Sequence, residues 1–154
     1  MLKDRHQYYI DTDAGDLLLF NEDNNTFFSI PLNIETGGIK SLYLDKNYLW
    51  IGTQRKGILV LNKKTNEIII VKEENGLPNK VIYSILGQKD RYVWVSTNKG
   101  ICQIDKEAVY QNESNTINQY LNYSNGLINN EFYTGAYHKD ENGIMYFGGI
   151  DGVN

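Results

Sequence analysis

Three aspartates stand where a glycoside hydrolase could place its acid and its base. Asp45, Asp90 and Asp140 occupy polar turns at matching places in successive segments of the chain. A hydrolytic pair needs its carboxyl groups about 5–9.5 Å apart, and the sequence gives no such separation. Aspartate is also favoured in turns, because its side chain bonds to nearby backbone groups. Turn chemistry accounts for all three residues, so the sequence designates no catalytic residue.

Metal-ligating residue types are present but lack the spacing of a metal site. His6 and His138 lie near opposite ends of the chain, and neither has a cysteine or second histidine beside it. A zinc site needs further ligands at defined spacing. The acidic stretches Asp11–Asp16 and Asp140–Gly143 lack the regular pattern of a calcium loop with its distal glutamate. We therefore expect no metal and no cofactor.

The single cysteine does not point to nucleophilic chemistry. Cys102 lies between Ile101 and Gln103 in a predicted strand, cannot form an internal disulfide and has no histidine or cysteine nearby. A buried, inert thiol is the preferred interpretation. The sequence also contains no nucleophile elbow, phosphate-binding loop or kinase motif. We expect that this chain is not an enzyme.

Charge and composition restrict the partners and the fold class. The net charge is −4 with charged residues scattered singly, so no basic face for nucleic acid can be assembled. No apolar run approaches the ~20 residues that span a bilayer, so we expect no direct membrane contact. Met1–Ile10 has no signal-peptide core, which fits either a cytosolic protein or a segment of an exported one. The 12 Tyr and 14 Gly against 2 Pro favour an all-β fold.

An internal repeat is the strongest signal in the sequence. Residues 9–30 align without a gap on residues 50–71, which places Tyr9 on Trp50. Further copies begin at Trp94 and Tyr146, so the spacings are 50 − 9 = 41, 94 − 50 = 44 and 146 − 94 = 52. Periods of 40–50 residues are typical of four-stranded propeller blades.

Each unit divides into short strands separated by turn signals. The strands predicted for the second unit are Ile39–Leu44, Tyr48–Gly52, Gly57–Leu61 and Glu67–Lys72. Two matching linkers, Asn75–Asn79 and Asn125–Asn129, contain Asn-Gly, which tolerates positive φ. We predict a β-propeller fragment of four-stranded antiparallel meanders, about three blades plus a partial one, with units 1–34, 35–79, 80–130 and 131–154. Lys106–Asn118 is predicted to be a surface excursion with one helical turn.

These motifs resemble the two-component regulator propeller repeat family. The likeness is carried by Leu49–Thr53, Gly57-Ile58, Asn75–Pro78, Val93–Thr97 and Tyr146–Gly152. The resemblance implies an extracytoplasmic, periplasmic sensor of saccharides or related nutrients in a hybrid two-component system. Its parent protein would be anchored in the membrane and carry a histidine kinase elsewhere. The first unit departs from the family pattern, because Asp11 and Asp13–Asp16 replace its glycine and lysine-rich turn.

Two other functions remain open at this point. One is a propeller enzyme, either a polysaccharide lyase or a glycosidase, and the other is a non-catalytic scaffold for dimerisation. Trp50 and Trp94 occupy equivalent repeat positions, where large aromatic residues usually fill the core between blades. Their burial between sheets is therefore expected, with sugar stacking as the alternative. The sequence does not assign the residues that would bind a saccharide ligand.

The two ends of the chain predict further partners. The first unit lacks a recognisable inner strand, and the last unit stops at Asn154 where its third strand should begin. Three blades and a fraction cannot close a ring, and closure is what protects sheet edges. We expect the remaining blades and the downstream domains of a parent protein to cover these ends. By itself, the chain is expected to form a homo-oligomer.

Overall fold

The computed structural model describes residues 1–12 and 14–154. Asp13, one of the acidic residues noted in the first unit, lies outside the described residues. The described residues form fifteen strands in four antiparallel sheets that follow one another along the chain and do not close into a ring. The prediction of an all-β propeller fold is confirmed.

The strands follow chain order within each sheet. The first sheet contains β1 (Leu2–Asp4), β2 (Gln7–Asp11), β3 (Leu17–Asn21) and β4 (Thr26–Ile30). The second contains β5 (Ile39–Asp45), β6 (Tyr48–Thr53), β7 (Ile58–Asn62) and β8 (Ile68–Val71). The third contains β9 (Ile82–Gln88), β10 (Tyr92–Thr97), β11 (Gly100–Asp105) and β12 (Ile117–Leu121). The fourth contains β13 (Phe132–Lys139), β14 (Met145–Gly149) and β15 (Gly152–Val153).

The sheets pack face to face, and side-chain alternation along the strands decides which residues meet. Successive side chains on a strand point to opposite faces. In β6, Leu49 and Ile51 join a core cluster with the first sheet, whereas Trp50 joins a cluster with the third sheet. The second sheet is therefore covered on both faces, which explains the continuous apolar sequence of its central strands.

The linkers between sheets turn through glycines in the left-handed region. Short 3-10 helices at Glu73–Asn75 and Tyr123–Asn125 end at Gly76 (φ 94°) and Gly126 (φ 110°). Other residues rarely adopt this conformation, so the Asn-Gly motif fixes where the chain leaves one sheet for the next. Leu77, which follows Gly76, is buried in the core between the second and third sheets.

The expectation that the first unit lacks an inner strand is wrong. Leu2–Asp4 forms β1, which pairs antiparallel with β2 so that Leu2 lies opposite Tyr9. A strand of three residues is too short to show alternation in sequence. Pairing with β2 and the position of β1 beside β5 define it instead.

The segment Lys106–Asn118 also differs from expectation. It begins with the helix α1 (Lys106–Tyr110), which is one helical turn as predicted, but Lys106, Ala108 and Val109 are buried rather than at the surface. Val109 and Tyr110 pack into the core between the second and third sheets. Among the described residues, no helix is long and apolar enough to cross a membrane.

Candidate functional site

The repeat places Trp50 and Trp94 at equivalent positions, but the structure buries them differently. Trp50 is fully buried and its Nε1 donates to the Tyr110 hydroxyl at 3.3 Å. Trp94 is only half-buried, and its Nε1 donates to Gln88 Oε1 at 2.9 Å. Trp50 is buried between sheets as expected, whereas Trp94 is only partly buried and packs against the core between the third and fourth sheets. Helix α1 supplies the tyrosine that covers Trp50, and the described part of the fourth sheet contains no such helix.

Trp94 lines a small cleft of about 270 Å³ between the third and fourth sheets. The cleft wall is mainly apolar and includes Ile101, Met145 and Phe147. Its polar residue, Gln88, already accepts hydrogen bonds from Trp94 and from Gln103. This cleft therefore presents few polar groups with which a ligand could be oriented.

The three aspartates considered as catalytic acids have separate structural roles. Asp45 forms an ion pair with Lys106, with Nζ and Oδ2 3.0 Å apart. Asp90 is exposed, 4.0 Å from the Lys46 ammonium. Asp140 accepts from the backbone N–H of Ile144 at 2.8 Å, inside its own turn.

The matching of Asp45 with Asp90 is also wrong. Asp45 lies opposite Tyr48 in the second sheet, and Gln88 lies opposite Tyr92 in the third. The turn that contains Asp90 is one residue longer than its counterpart, so the repeat places Gln88 at the position of Asp45.

The other candidate residues are not brought together into a reactive site. His6 Nδ1 lies 3.1 Å from Asp23 Oδ1, and His138 stacks on Tyr146. Three or more potential metal ligands do not cluster anywhere in the part of the chain that the structure describes. Cys102 is completely buried, and this burial raises the pKa of its thiol to about 12, which suppresses the reactive thiolate.

A larger cleft, of about 710 Å³, opens between the first and second sheets. It lies at the edge of the two sheets where the first strand turns into the second and the third strand turns into the fourth. Its apolar floor is formed by Tyr9, Leu19, Ile30 and Leu61. The polar residues around this floor are Asp4, Arg5, His6, Gln7, Asn21, Asp23, Lys46, Asn47, Lys63, Lys64 and Asn66. Its volume and its combination of an apolar floor with convergent polar groups are typical of small-molecule sites.

An ion pair joins the two sheets beside this cleft. Lys63 Nζ lies 2.7 Å from Asp4 Oδ2, and the two side chains are 17% and 27% exposed. The same pair recurs one interface later as Lys106 and Asp45. Backbone hydrogen bonds show that the two lysines occupy equivalent positions. The N–H group of Lys63 donates to the carbonyl of Asn47, which precedes β6, and the N–H group of Lys106 donates to the carbonyl of Arg91, which precedes β10.

The neighbouring interface shows why the cleft is open. Between the second and third sheets, Tyr110 of α1 stacks on Tyr48 with ring centroids 4.1 Å apart. In the first sheet, Gln7 occupies the position of Tyr48. The registers show this, because Gln7 pairs with Asn21 on β3 just as Tyr48 pairs with Asn62 on β7. The second sheet has the short turn Lys63–Asn66 where the third has α1. The space that Tyr110 fills in one interface is therefore unfilled in the other.

Sequence reasoning did not identify this cleft, although a signal was present. The gap-free offset of 41 residues also places Asp4 on Asp45 and Gln7 on Tyr48. The first two units therefore share the aspartate, whereas the first has glutamine where the second has tyrosine. This pattern indicates that the interface between the first and second sheets has the ion pair but not the aromatic stack.

No protein-family model and no curated protein matches the chain, but solved structures share its fold. The extracellular domain of BT3049 from B. thetaiotaomicron, named as a hybrid two-component system, is 24% identical with a TM-score of 0.78 over 99% of this chain and 20% of its own. The extracellular domain of BT4673 from the same organism is 19% identical, with a TM-score of 0.73 over 97% of this chain and 19% of its own. One structure of BT4673 names it as a one-component system and another as a hybrid two-component system. PorZ, an essential surface component of the type-IX secretion system of Porphyromonas gingivalis, is 18% identical with a TM-score of 0.70 over 96% and 24%.

The chain thus spans about a fifth to a quarter of the length of these proteins. At such identities the likeness establishes the fold. Two of the three proteins are extracellular domains of signalling systems, which agrees with the family resemblance seen in the repeat motifs.

Proposed function

We propose that this chain is part of the extracellular sensor domain of a hybrid two-component system and contributes to the sensing of saccharides or related nutrients. The observation that carries the proposal is the fold shared over 99% of this chain with the BT3049 extracellular domain. The repeat motifs of the sequence support the same assignment. The kinase that would pass the signal on lies elsewhere in such a system.

The cleft between the first and second sheets is the site that we propose for this role. Its walls come from two separate sheets, so a ligand that contacts both walls stabilises the arrangement in which they are correctly spaced. A ligand shifts a conformational equilibrium only through such differential affinity. Binding here would favour one relative placement of two blades, which is a change that a propeller can pass to its neighbours.

Binding and turnover measurements test the proposal. The chain is titrated with a panel of oligosaccharides by calorimetry, and the same mixtures are assayed for new reducing ends and for unsaturated products. Saturable binding without turnover is expected. Turnover abolished by changing one of Asp45, Asp90 or Asp140 to Asn, in a variant that keeps its thermal unfolding transition, would support the enzyme instead, and the absence of both binding and turnover would support the scaffold.

The scaffold is the second candidate, because the PorZ fold match favours it. PorZ is described as a surface component of a secretion system, so this propeller fold is not confined to signalling proteins. A scaffold is distinguished by saturable association with another protein or a second copy under conditions where no saccharide binds.

A further inference from the structure

We propose that the cleft between the first and second sheets binds a sugar that carries a carboxylate, such as a hexuronic acid. The inference rests on the proposed function, since it names the class of saccharide that this site would take. Its evidence is the charge and the shape of the cleft.

The charge of the cleft is opposite to that of the chain. Four cationic residues line it, Arg5, Lys46, Lys63 and Lys64, against the acids Asp4 and Asp23. With histidine neutral the lining carries 4 − 2 = +2, whereas the whole chain carries −4. A local excess of one sign in a concave site attracts ligands of the opposite sign.

Two of these cations are available to an anion. Lys63 is already paired with Asp4, and Lys46 approaches Asp90 outside the cleft. Arg5 and Lys64 form no ion pair with any acidic residue that the structure describes. Arginine suits a carboxylate well, because its planar guanidinium can donate two parallel hydrogen bonds to the two oxygens.

The shape of the cleft fits a six-membered ring. In the equivalent interface the same space holds the phenol ring of Tyr110, stacked on Tyr48. A pyranose ring is of similar size, and the floor residues Leu19 and Ile30 offer apolar surface to its C–H groups. Around that floor, the amides of Gln7, Asn47 and Asn66 provide donors and acceptors for hydroxyl groups.

Matched sugars test the charge. Glucuronate and galacturonate are titrated beside glucose and galactose, which share the ring and lack the carboxylate, at about 0.05 M and about 0.5 M salt. The uronates are expected to bind about tenfold or more tightly than the neutral sugars, the difference that a charge-assisted hydrogen bond gives. Their affinity should fall at the higher salt concentration. Equal affinity for both classes would overturn the inference.

Matched variants test the location. Arg5→Gln and Lys64→Gln should each weaken uronate binding, whereas Lys56→Gln, an exposed lysine in a turn at the opposite edge of the second sheet, should leave it unchanged. Gln7→Tyr, which supplies the counterpart of Tyr48, should block binding while the thermal unfolding transition is retained. Unchanged binding in all three cleft variants would place the ligand elsewhere and refute the inference.

The outcomes separate this inference from the proposed function. If neutral oligosaccharides bind and uronates do not, the saccharide sensor stands and the acidic-sugar site is wrong. If no saccharide of either class binds, both are wrong.

Discussion

At the scale of single residues, a buried ion pair between Lys106 and Asp45 joins the second and third sheets beside their apolar core. The Lys106 side chain is 1% exposed and that of Asp45 10%. The Tyr110 hydroxyl also donates to Asp45 Oδ2, at 2.6 Å. The contact of the ammonium with Asp45 is an ion pair without the geometry of an aligned hydrogen bond. Charges buried in this way tolerate the loss of their partner poorly.

Removing the ammonium should therefore be costly. Lys106→Met is expected to lower the free energy of unfolding by about 3–5 kcal/mol, because it leaves the Asp45 carboxylate buried without a counter-charge. Urea unfolding gives the value. Lys63→Met is the matched control and should cost less, since water reaches its partner Asp4. Adding Asp45→Asn to Lys106→Met should recover part of the loss, and a purely additive double variant would contradict this account.

The two tryptophans should respond unequally to truncation. Trp50→Ala is expected to destabilise by about 3–5 kcal/mol, the usual range for a buried aromatic residue. Trp94→Ala should cost clearly less, because its ring is half-buried. Chemical denaturation of both variants measures the difference. Equal losses would mean that Trp94 is as tightly enclosed as Trp50.

At the scale of elements, the start of helix α1 is held by one aspartate in two ways. Asp105 is the N-cap residue, and its side chain accepts from the backbone N–H of Glu107 at 3.0 Å. It also accepts from the Arg91 guanidinium at 2.7 and 3.0 Å. The hydrogen bond from Arg91 is the main reason that the pKa of Asp105 is lowered, and backbone donors of the helix lower it further.

This lowered pKa makes a prediction about acid stability. A carboxyl group whose pKa is lower in the folded state stabilises the protein above its unfolded pKa of about 3.9. The contribution is lost as the pH falls through the folded pKa. Unfolding measured between about pH 2 and pH 7 should show a smaller acid-induced loss in Asp105→Asn than in the parent chain. The asparagine still caps the helix, so an unchanged pH profile would mean that the Asp105 carboxyl does not contribute to the acid-induced loss.

The sequence predicted regular elements better than irregular ones. Strands such as β6 and β7 were predicted because their apolar residues suit a sheet, and the repeat placed their ends close to the observed ones. β1 was missed because three residues are too few to show an alternating pattern. The burial of α1 was missed because a lysine such as Lys106 is usually found at the surface. Asp90 was misaligned because one extra turn residue breaks the offset between units. The cleft depends on the difference between two interfaces, which emerges only when the registers are known.

At the scale of the whole molecule, the outer face of the first sheet carries an aromatic row. Tyr8, Phe20 and Phe27 lie side by side across three strands, with neighbouring ring centroids 6.0 and 4.7 Å apart. They point away from the second sheet, and Phe27 is 63% exposed. Exposed apolar patches of this kind favour association with another surface.

We therefore predict that the isolated chain self-associates through this row. Light scattering across a dilution series should give a mass above 17.7 kDa that falls on dilution. Phe27→Lys should shift the equilibrium towards the monomer, because it places a charge in the apolar row. Tyr123→Lys, an exposed aromatic residue in a linker, is the control and should not. A monomer that persists at high concentration would refute the prediction.

The unfilled space between the first and second sheets has a consequence for the dynamics of the chain. Interfaces with fewer buried contacts open at a smaller free-energy cost than well-filled ones, so a protein opens locally in separate cooperative units. The first sheet lacks a counterpart of the Tyr48–Tyr110 stack. Its β2 and β3 amides should exchange with deuterium sooner than those of β6 and β7, whose sheet is covered on both faces. A ligand seated in the cleft would slow that exchange, so deuterium uptake by the first sheet would report occupancy of the cleft.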